Sequence, residues 1–480
     1  MSRRALVTVI VATGVFLASL DLFIVNLAFP DLAREFEGSS FSDMSWILNA
    51  YAIVFAALLV PAGRWADRAG RKRGFLYGLA LFTLASAVSA AAPSLEVLVG
   101  ARVLQAAGAA LMVPTSLGLL IPEFPAERRA AVVALWAAVG GVAAAAGPPM
   151  GGVLVEASWR WVFLINIPIG VVALVAGAHT LREIRDPSGE RPDVLGAVML
   201  AGGIGALTGA IVKGPDWGWG DPATVALFAA AALLVAAVVA RSRTHPAPVV
   251  EPELVRIRST AFANLAAMLF FAGFGAMLLG SILFLTSVWG ESTLSAGLMV
   301  APGPAMAAIF SVPAGLLGER YGARLVGAAG ATIMALSAIW FVSIMGAEPD
   351  YAGGFLAPFL LGGMGVGLSI PSITGLATAA LPPTRFATGT ALVGMSRQIG
   401  AALGVAVLVA IVGTPTREDA VATLGHAWLF VAGAMFATAL ALLLTGRPQI
   451  RPAAASSPAP ASVRSGSTSA GTASGAEAVA

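Results

Sequence analysis

Three ionisable side chains, Asp21, Arg102 and Arg397, stand inside runs that are otherwise apolar. A carboxylate in such a run is stable only when it is paired or protonated, which suits it to taking up and releasing a proton. Asp21 lies in the first run and Arg102 in the fourth. At about 1.5 Å of rise per residue both fall in the half of the membrane away from the N-terminus, so they are placed to pair. In one reading Asp21 alternates between protonated and charged forms and Arg102 stabilises the charged form; in the other, the pair only holds helices together. Gln105 lies one turn from Arg102 on the same face, and Asn26 follows Asp21, so both are candidates to complete a polar relay. Arg397, with Gln398 beside it, is near the middle of a late apolar run. There it repels cations or attracts anionic and polar groups, or else bonds backbone carbonyls structurally. Asn49 and Tyr51 are further cavity candidates. Tyr51, Trp46, Phe163 and Trp289 either stack on flat ligands or form interfacial belts.

Elements able to bury such residues must be membrane helices. The chain has 480 residues, of which 58% are hydrophobic and 11% charged, with a mean hydropathy of +0.87, far from the usage of soluble domains. Fourteen apolar spans of about 22 residues would occupy roughly 310 residues, leaving too few for a further soluble domain of ordinary size. The absence of cysteine excludes disulfides and thiolate metal sites, and His179, His245 and His426 are too scattered for a metal cluster. The net charge of +3 is explained by loop bias, and no nucleic-acid partner is expected.

Apolar windows predict spans near 5–28, 45–66, 74–93, 96–121, 130–155, 159–181, 192–213, 221–240, 260–288, 293–318, 322–347, 353–381, 386–413 and 425–446. With the N-terminus inside, only Arg34, Arg160, Lys213 and Arg417 fall outside, and Arg102 and Arg397 fall within spans. All other basic residues are on the inner side, which places both termini in the cytoplasm. Arg3 and Arg4 before an apolar run also suit a signal peptide, but the run is too long, contains Asp21 and ends in Phe29-Pro30 without a small-x-small site. The Ala/Ser/Pro/Thr/Gly-rich segment 447–480 is expected to be a disordered cytoplasmic tail.

An internal repeat organises the spans. PAGRWADRAGRKR (Pro61 to Arg73) returns as PAGLLGERYGARL (Pro313 to Leu325), and Gly108, Pro114, Arg128 and Ala134 return as Gly365, Pro371, Arg385 and Ala391. Two six-helix bundles, 1–185 and 259–446, flanking an inserted two-helix segment with its linkers, 186–258, are expected, with the substrate pathway between the bundles. In the first copy Gly63 and Gly70 permit a tight turn, and Asp67 caps a helix or pairs with an arginine such as Arg68 or Arg71. The recurrence with Glu319 and Arg320 favours a latch between rigid bodies over a plain basic loop. Gly147, Pro148, Gly151 and Gly152, with Pro149, combine kinking and small residues, which suits a packed hinge or ordinary close helix packing. The Gly-rich run Gly362 to Gly367 follows no strand, and no phosphate loop, hydrolase elbow or metal-ligand string is present.

GRWADRAGRKR resembles the cytoplasmic signature of the major facilitator superfamily. SLDLFIVNLAFP (Ser19 to Pro30) and RVLQAAGAA (Arg102 to Ala110) resemble the first- and fourth-helix motifs of its fourteen-helix drug:proton antiporter family. GPPMGG (Gly147 to Gly152) resembles the antiporter motif, and WRWVFLINIPIG, SAGLMVAP and SRQIGAALG resemble further family segments, so the likeness covers nearly all the chain but the tail. Phe23, Phe29, Ala106 and Thr286 depart from the family pattern, which puts its substrate list in doubt here. The resemblance implies a 6+2+6 all-α membrane fold in a bacterial plasma membrane, working as a monomer by alternating access. It implies proton-coupled export of amphipathic toxic compounds, with the proton gradient as driving force and no cofactor or metal. A dedicated exporter of an endogenous metabolite is the alternative. A sensor or membrane enzyme would need an output domain or clustered catalytic groups, and neither is present.

Overall fold

A computed structural model describes residues 2–36, 38–186, 191–381, 385–413 and 419–446; the expected tail lies outside the described residues. The regular secondary structure of the described residues is all helical, and they contain no strand. The spanning helices are α1 (Arg3–Glu35), α2 (Trp46–Ala69), α3 (Arg71–Ala90), α4 (Leu95–Leu120), α5 (Arg129–Ala157), α6 (Asn166–Thr180) and α7 (Val194–Trp217). They continue as α8 (Pro222–Ser242), α9 (Arg258–Leu283), α10 (Pro302–Leu317), α11 (Ala323–Ile344), α12 (Ala357–Thr378), α13 (Phe386–Val412) and α14 (Ala420–Leu444). A short helix, Thr293–Val300, leads into α10.

By length and composition these form 13 apolar helical stretches, one of which runs 52 residues from Thr293 to Ile344. Straight, such a stretch would reach roughly 78 Å, against a hydrocarbon core of about 30 Å. It turns back at Gly322, whose φ of +89° only glycine adopts readily, and Gly70 makes the same turn between α2 and α3 at +125°. α10 and α11 are therefore separate crossings. The repeat is also visible in packing. A Cβ on Gly108 of α4 would stand 2.7 Å from the carbonyl of Gly78 on α3, and one on Gly365 of α12 would stand 2.6 Å from that of Gly330 on α11. Two glycines per crossing let each helix pair touch backbone to backbone, the arrangement that substitutes for a hydrophobic drive in lipid.

The first helix runs further than its apolar window predicts, continuing through Pro30 to Glu35 rather than stopping near residue 28. Proline deletes a single backbone donor, and beyond it Arg34 pairs with Asp31 while the Phe36 N–H donates to Leu32 O. The face carrying Arg3 at one end and Leu444 at the other is called the terminal face below.

The inserted pair α7 and α8 pack on each other, and α7 lies against both α2 and α13. Ala197, Leu200 and Ile204 of α7 share a core with Ile53 and Ala56 of α2 and with Leu392 and Met395 of α13. Among the described residues its polar contacts reach the first half: Lys213 Nζ donates to Asp43 at 2.7 Å and Ser42 Oγ to Asp216 at 2.8 Å.

Candidate functional site

Five helices converge on Asp21. α1 supplies the carboxylate, fully buried; Arg102 Nη1 of α4 donates to its Oδ2 at 2.5 Å, and Gln105 Nε2 donates to Oδ1 at 2.9 Å. The same Arg102 Nη1 donates to Gln105 Oε1 at 2.5 Å, and Arg102 Nε donates to the Ile47 carbonyl of α2 at 3.1 Å. Gln105 Nε2 also donates to Ser86 Oγ of α3 at 2.9 Å, and Asn166 Nδ2 of α6 donates to that oxygen at 3.3 Å. Three-residue spacing on α4 sets Arg102 and Gln105 on one face, as the sequence predicts. A buried charge pair is tolerated only when its remaining donors and acceptors are satisfied, and this network does so with groups from α1, α2, α3, α4 and α6. Ser86 and Asn166 escape sequence reasoning, because a lone Ser or Asn in an apolar span carries no spacing signal; Asn166 lies within the quoted WRWVFLINIPIG string.

Other candidates fall elsewhere. Asn26 Nδ2 donates to Leu22 O at 2.7 Å, within its own helix, rather than to the Asp21 network. Tyr51 is fully buried, with the Arg102 guanidinium 4.2 Å over its ring, and Phe163 lies 5.8 Å from the same guanidinium. These rings form a platform for the arginine rather than a free stacking surface. Asn49 is buried beside Ser45, whose Oγ accepts from Asn49 Nδ2 at 3.3 Å. Trp289 donates to Gly346 O at 3.0 Å. Arg397 and Gln398 lie on α13, away from the Asp21 network. Among the described residues no group of three or more His, Cys, Asp or Glu is arranged to hold a metal ion.

The basic loop makes a latch, but within the first half. Arg71 Nε donates to Asp67 Oδ1 at 2.7 Å and Arg71 Nη1 to Gly118 O of α4 at 3.0 Å. Asp67 O accepts from Asp186 N at 2.8 Å, and Lys72 Nζ donates to Ala178 O of α6 at 2.6 Å. Arg68 is exposed and lines a shallow pocket with Trp65 and Arg191. Gly63 packs on Pro114. The second copy does not repeat this arrangement. Glu319 and Arg320 are exposed, Arg320 lies 5.2 Å from the Tyr321 ring, and Glu319 has no ion pair with a described residue. The reason lies in the repeat: the position matching Arg71 is Ala323, so the carboxylate has lost its partner.

A polar bridge on the terminal face, reaching from the first half to the second, is one that sequence reasoning missed. Arg64 Nη2 of α2 donates to Glu251 at 2.6 Å and its Nη1 to Pro248 O at 2.8 Å, while Arg385, just before α13, lies 3.8 Å from Glu251 and 2.5 Å from Glu253. The Glu253 hydrogen bond raises the Arg385 pKa above its usual value. Replacing Glu251 with Ala is expected to cost about 1 kcal/mol and to speed tryptic cleavage at Arg256 about fivefold. An unchanged cleavage rate would mean that the buried Val249 and Leu254 hold the linker instead.

On the opposite face the Gly147–Gly152 string closes the seam. A Cβ on Gly297, in the helix leading to α10, would stand 2.5 Å from Pro148 O, and one on Gly152 would stand 2.9 Å from Leu294. Gly147 makes room for Phe23, whose Cβ would be 2.6 Å away, and a Cβ on Gly151 would stand 3.0 Å from Ile24. Thr293 Oγ1 donates to Asp31 at 3.0 Å beside a cavity of about 670 Å³ that also receives Thr286, Arg34 and Glu291. Toward the terminal face a Cβ on Gly141 of α5 or Gly315 of α10 would meet nothing within 4 Å. The Gly147–Gly152 string and the helix leading into α10 are thus in close contact on the face opposite the terminal one.

The chain matches the Major Facilitator Superfamily over residues 11–193, 186–405 and 265–472. It is 34% identical to the multidrug resistance protein Stp of Mycobacterium tuberculosis over 412 residues, 85% of this chain and 76% of that protein. It is 33% identical to the methylenomycin A resistance protein of Bacillus subtilis (91% and 93% covered) and 33% identical to the cephamycin export protein CmcT of Amycolatopsis lactamdurans (92% and 92%). The fold is similar to that of the POT family transporter PepTSo (TM-score 0.66, 17% identity, 91% and 97% covered). It is also similar to that of a bacterial homolog of the human lysosomal transporter Spinster in an inward-facing, unoccupied conformation (0.61, 16%, 93% and 96%).

Proposed function

The chain belongs to the major facilitator superfamily, and from that premise we propose that it exports amphipathic small molecules across a bacterial plasma membrane in exchange for protons. The observation that carries the coupling is the Asp21–Arg102–Gln105 network: a fully buried ionisable group that joins five helices of one half. Protonating Asp21 removes the ion pair and frees Arg102 to rely on Gln105, Ile47 O and the Tyr51 ring, so proton uptake and helix rearrangement become one event. The gradient supplies the energy, no cofactor is needed, and a monomer contains the whole pathway. The excess of basic residues in loops on the terminal face supports cytoplasmic termini. Alternating access then exchanges the α5–α10 closure seen on the far face for a closure on the terminal face, where Arg64, Glu251 and Arg385 already bridge the halves.

Relatives named for methylenomycin A resistance and for cephamycin export favour a second reading, in which the cargo is one particular antibiotic-like metabolite. The first reading is tested in proteoliposomes under an imposed pH gradient, comparing the unmodified protein with Asp21→Asn. Gradient-driven substrate movement is expected to fall to the background of empty vesicles in the variant, while downhill exchange persists. Equal gradient-driven rates for the two proteins would remove Asp21 from the coupling.

A further inference from the structure

Arg397 is the second cation in the membrane interior, and its surroundings are the reverse of those of Arg102. It stands near the middle of the 27-residue α13 and is half-buried. Arg102 is gripped by a carboxylate, an amide oxygen and a backbone carbonyl. Arg397 has no ion pair or hydrogen bond with a described residue; its guanidinium lies 4.4 Å from the centre of the Phe271 ring on α9. An arginine serving only to hold helices at this depth would be expected to spend its five donors on backbone carbonyls or a counter-charge.

Its neighbourhood is rich in donors and aromatic surface and poor in acceptors. Gln398, the next residue, is buried and its Nε2 has no acceptor, while Ser396 is already committed to Asn264 Oδ1 at 3.1 Å. Phe271 packs against Phe270 and Phe274, at 5.5 and 5.7 Å between ring centroids, and Phe274 meets Phe23 of α1 edge-on at 6.5 Å. This aromatic wall therefore crosses from one half of the molecule to the other, along the seam where cargo must pass. The Asp21–Arg102 pair is neutral as a unit, so Arg397 alone sets the sign of the uncompensated charge in the described interior. An organic cation would be repelled there, whereas an anion would neutralise it.

We propose that Arg397 reads the charge of the cargo, and that the compounds carried are amphipathic organic carboxylates. The carboxylate is held by the planar fork of Arg397, and the flat apolar body lies on the wall of Phe271 and Phe274. This rests on the export reading and narrows it to a substrate class.

The test is equilibrium binding to the full chain in lipid nanodiscs, without any gradient, using three flat aromatic carboxylates (2-naphthoate, anthracene-9-carboxylate and pyrene-1-carboxylate), each beside its uncharged primary amide. The carboxylates are expected to bind the unmodified protein at least about tenfold more tightly than the amides. Arg397→Gln should erase that difference. Arg397→Lys should keep part of it, because the charge remains while the fork is lost. Phe271→Leu should weaken both members of each pair together. Three outcomes overturn the proposal: amides that bind as well as carboxylates on every scaffold, no carboxylate binding up to millimolar concentration, or an Arg397→Gln protein with an unchanged thermal transition that keeps the full carboxylate preference. Because the comparison within each pair uses the unmodified protein, it stands even if a variant fails to fold. Because no gradient is applied, a failure here leaves proton-driven export standing, and a failure of proton coupling leaves this site standing.

Discussion

Arg102→Ala is expected to destabilise the protein by about 3–5 kcal/mol, because it strands the Asp21 carboxylate in a fully buried site where, among the described residues, only Gln105 still donates to it. Removing one partner of a buried pair costs more than removing both, so Asp21→Asn combined with Arg102→Ala should recover a large part of the loss. The neutral amide left behind can still donate to and accept from Gln105. Thermal unfolding of the four proteins of this cycle in one detergent reads the coupling directly. A double variant as damaged as the sum of the two singles would mean that the 2.5 Å contact contributes nothing as a pair. The same cycle separates the two roles open to Asp21. A purely structural pair predicts that the double variant regains transport with stability, whereas a proton-carrying Asp21 predicts a stable protein that no longer couples to the gradient.

Leucine at Gly297 should abolish export while leaving insertion intact. The site has no room for even a methyl group, since the Pro148 carbonyl, Leu27 and Gly152 all lie within about one carbon's contact of where it would stand. In lipid, helices approach this closely only through small residues, and a branched side chain here would hold the α5 end and the α10 lead-in apart. The far face then cannot close, and a carrier that cannot close one face leaks or stalls. Gly147→Leu should act in the same direction by displacing Phe23. Gly433→Leu on α14, where a Cβ would meet nothing within 4 Å, is the matched control and should transport near normally. Gradient-driven transport per inserted molecule is the measurement; activity in the Gly297 variant equal to that of the Gly433 control would show that this contact is not the far-face closure.

The sequence by itself determined the apolar spans and their order, the internal duplication, the placement of Asp21 where it could pair with Arg102, and Gln105 on the same face as Arg102. Each follows from rules that act locally: apolar length, loop charge, repeat offset, and the three-residue spacing that puts two side chains on one helix face. Only the tertiary structure decided what those residues meet across helices. Ser86 and Asn166 joined the hydrogen-bond network of Asp21, and Asn26 turned back to its own helix, because a lone polar residue bonds whichever group the packing brings near it. Tyr51 became a platform for Arg102 for the same reason. The latch expected between bundles lies inside the first, and its second copy is broken by Ala323, a single residue whose effect appears only once Arg71 is seen on Asp67. The bridge that does span the halves, Arg64 to Glu251 to Arg385, joins residues separated by 187 positions on one side and by the whole of α9–α12 on the other. No pattern of spacing reaches so far, because contacts at that range are set by how whole helices pack.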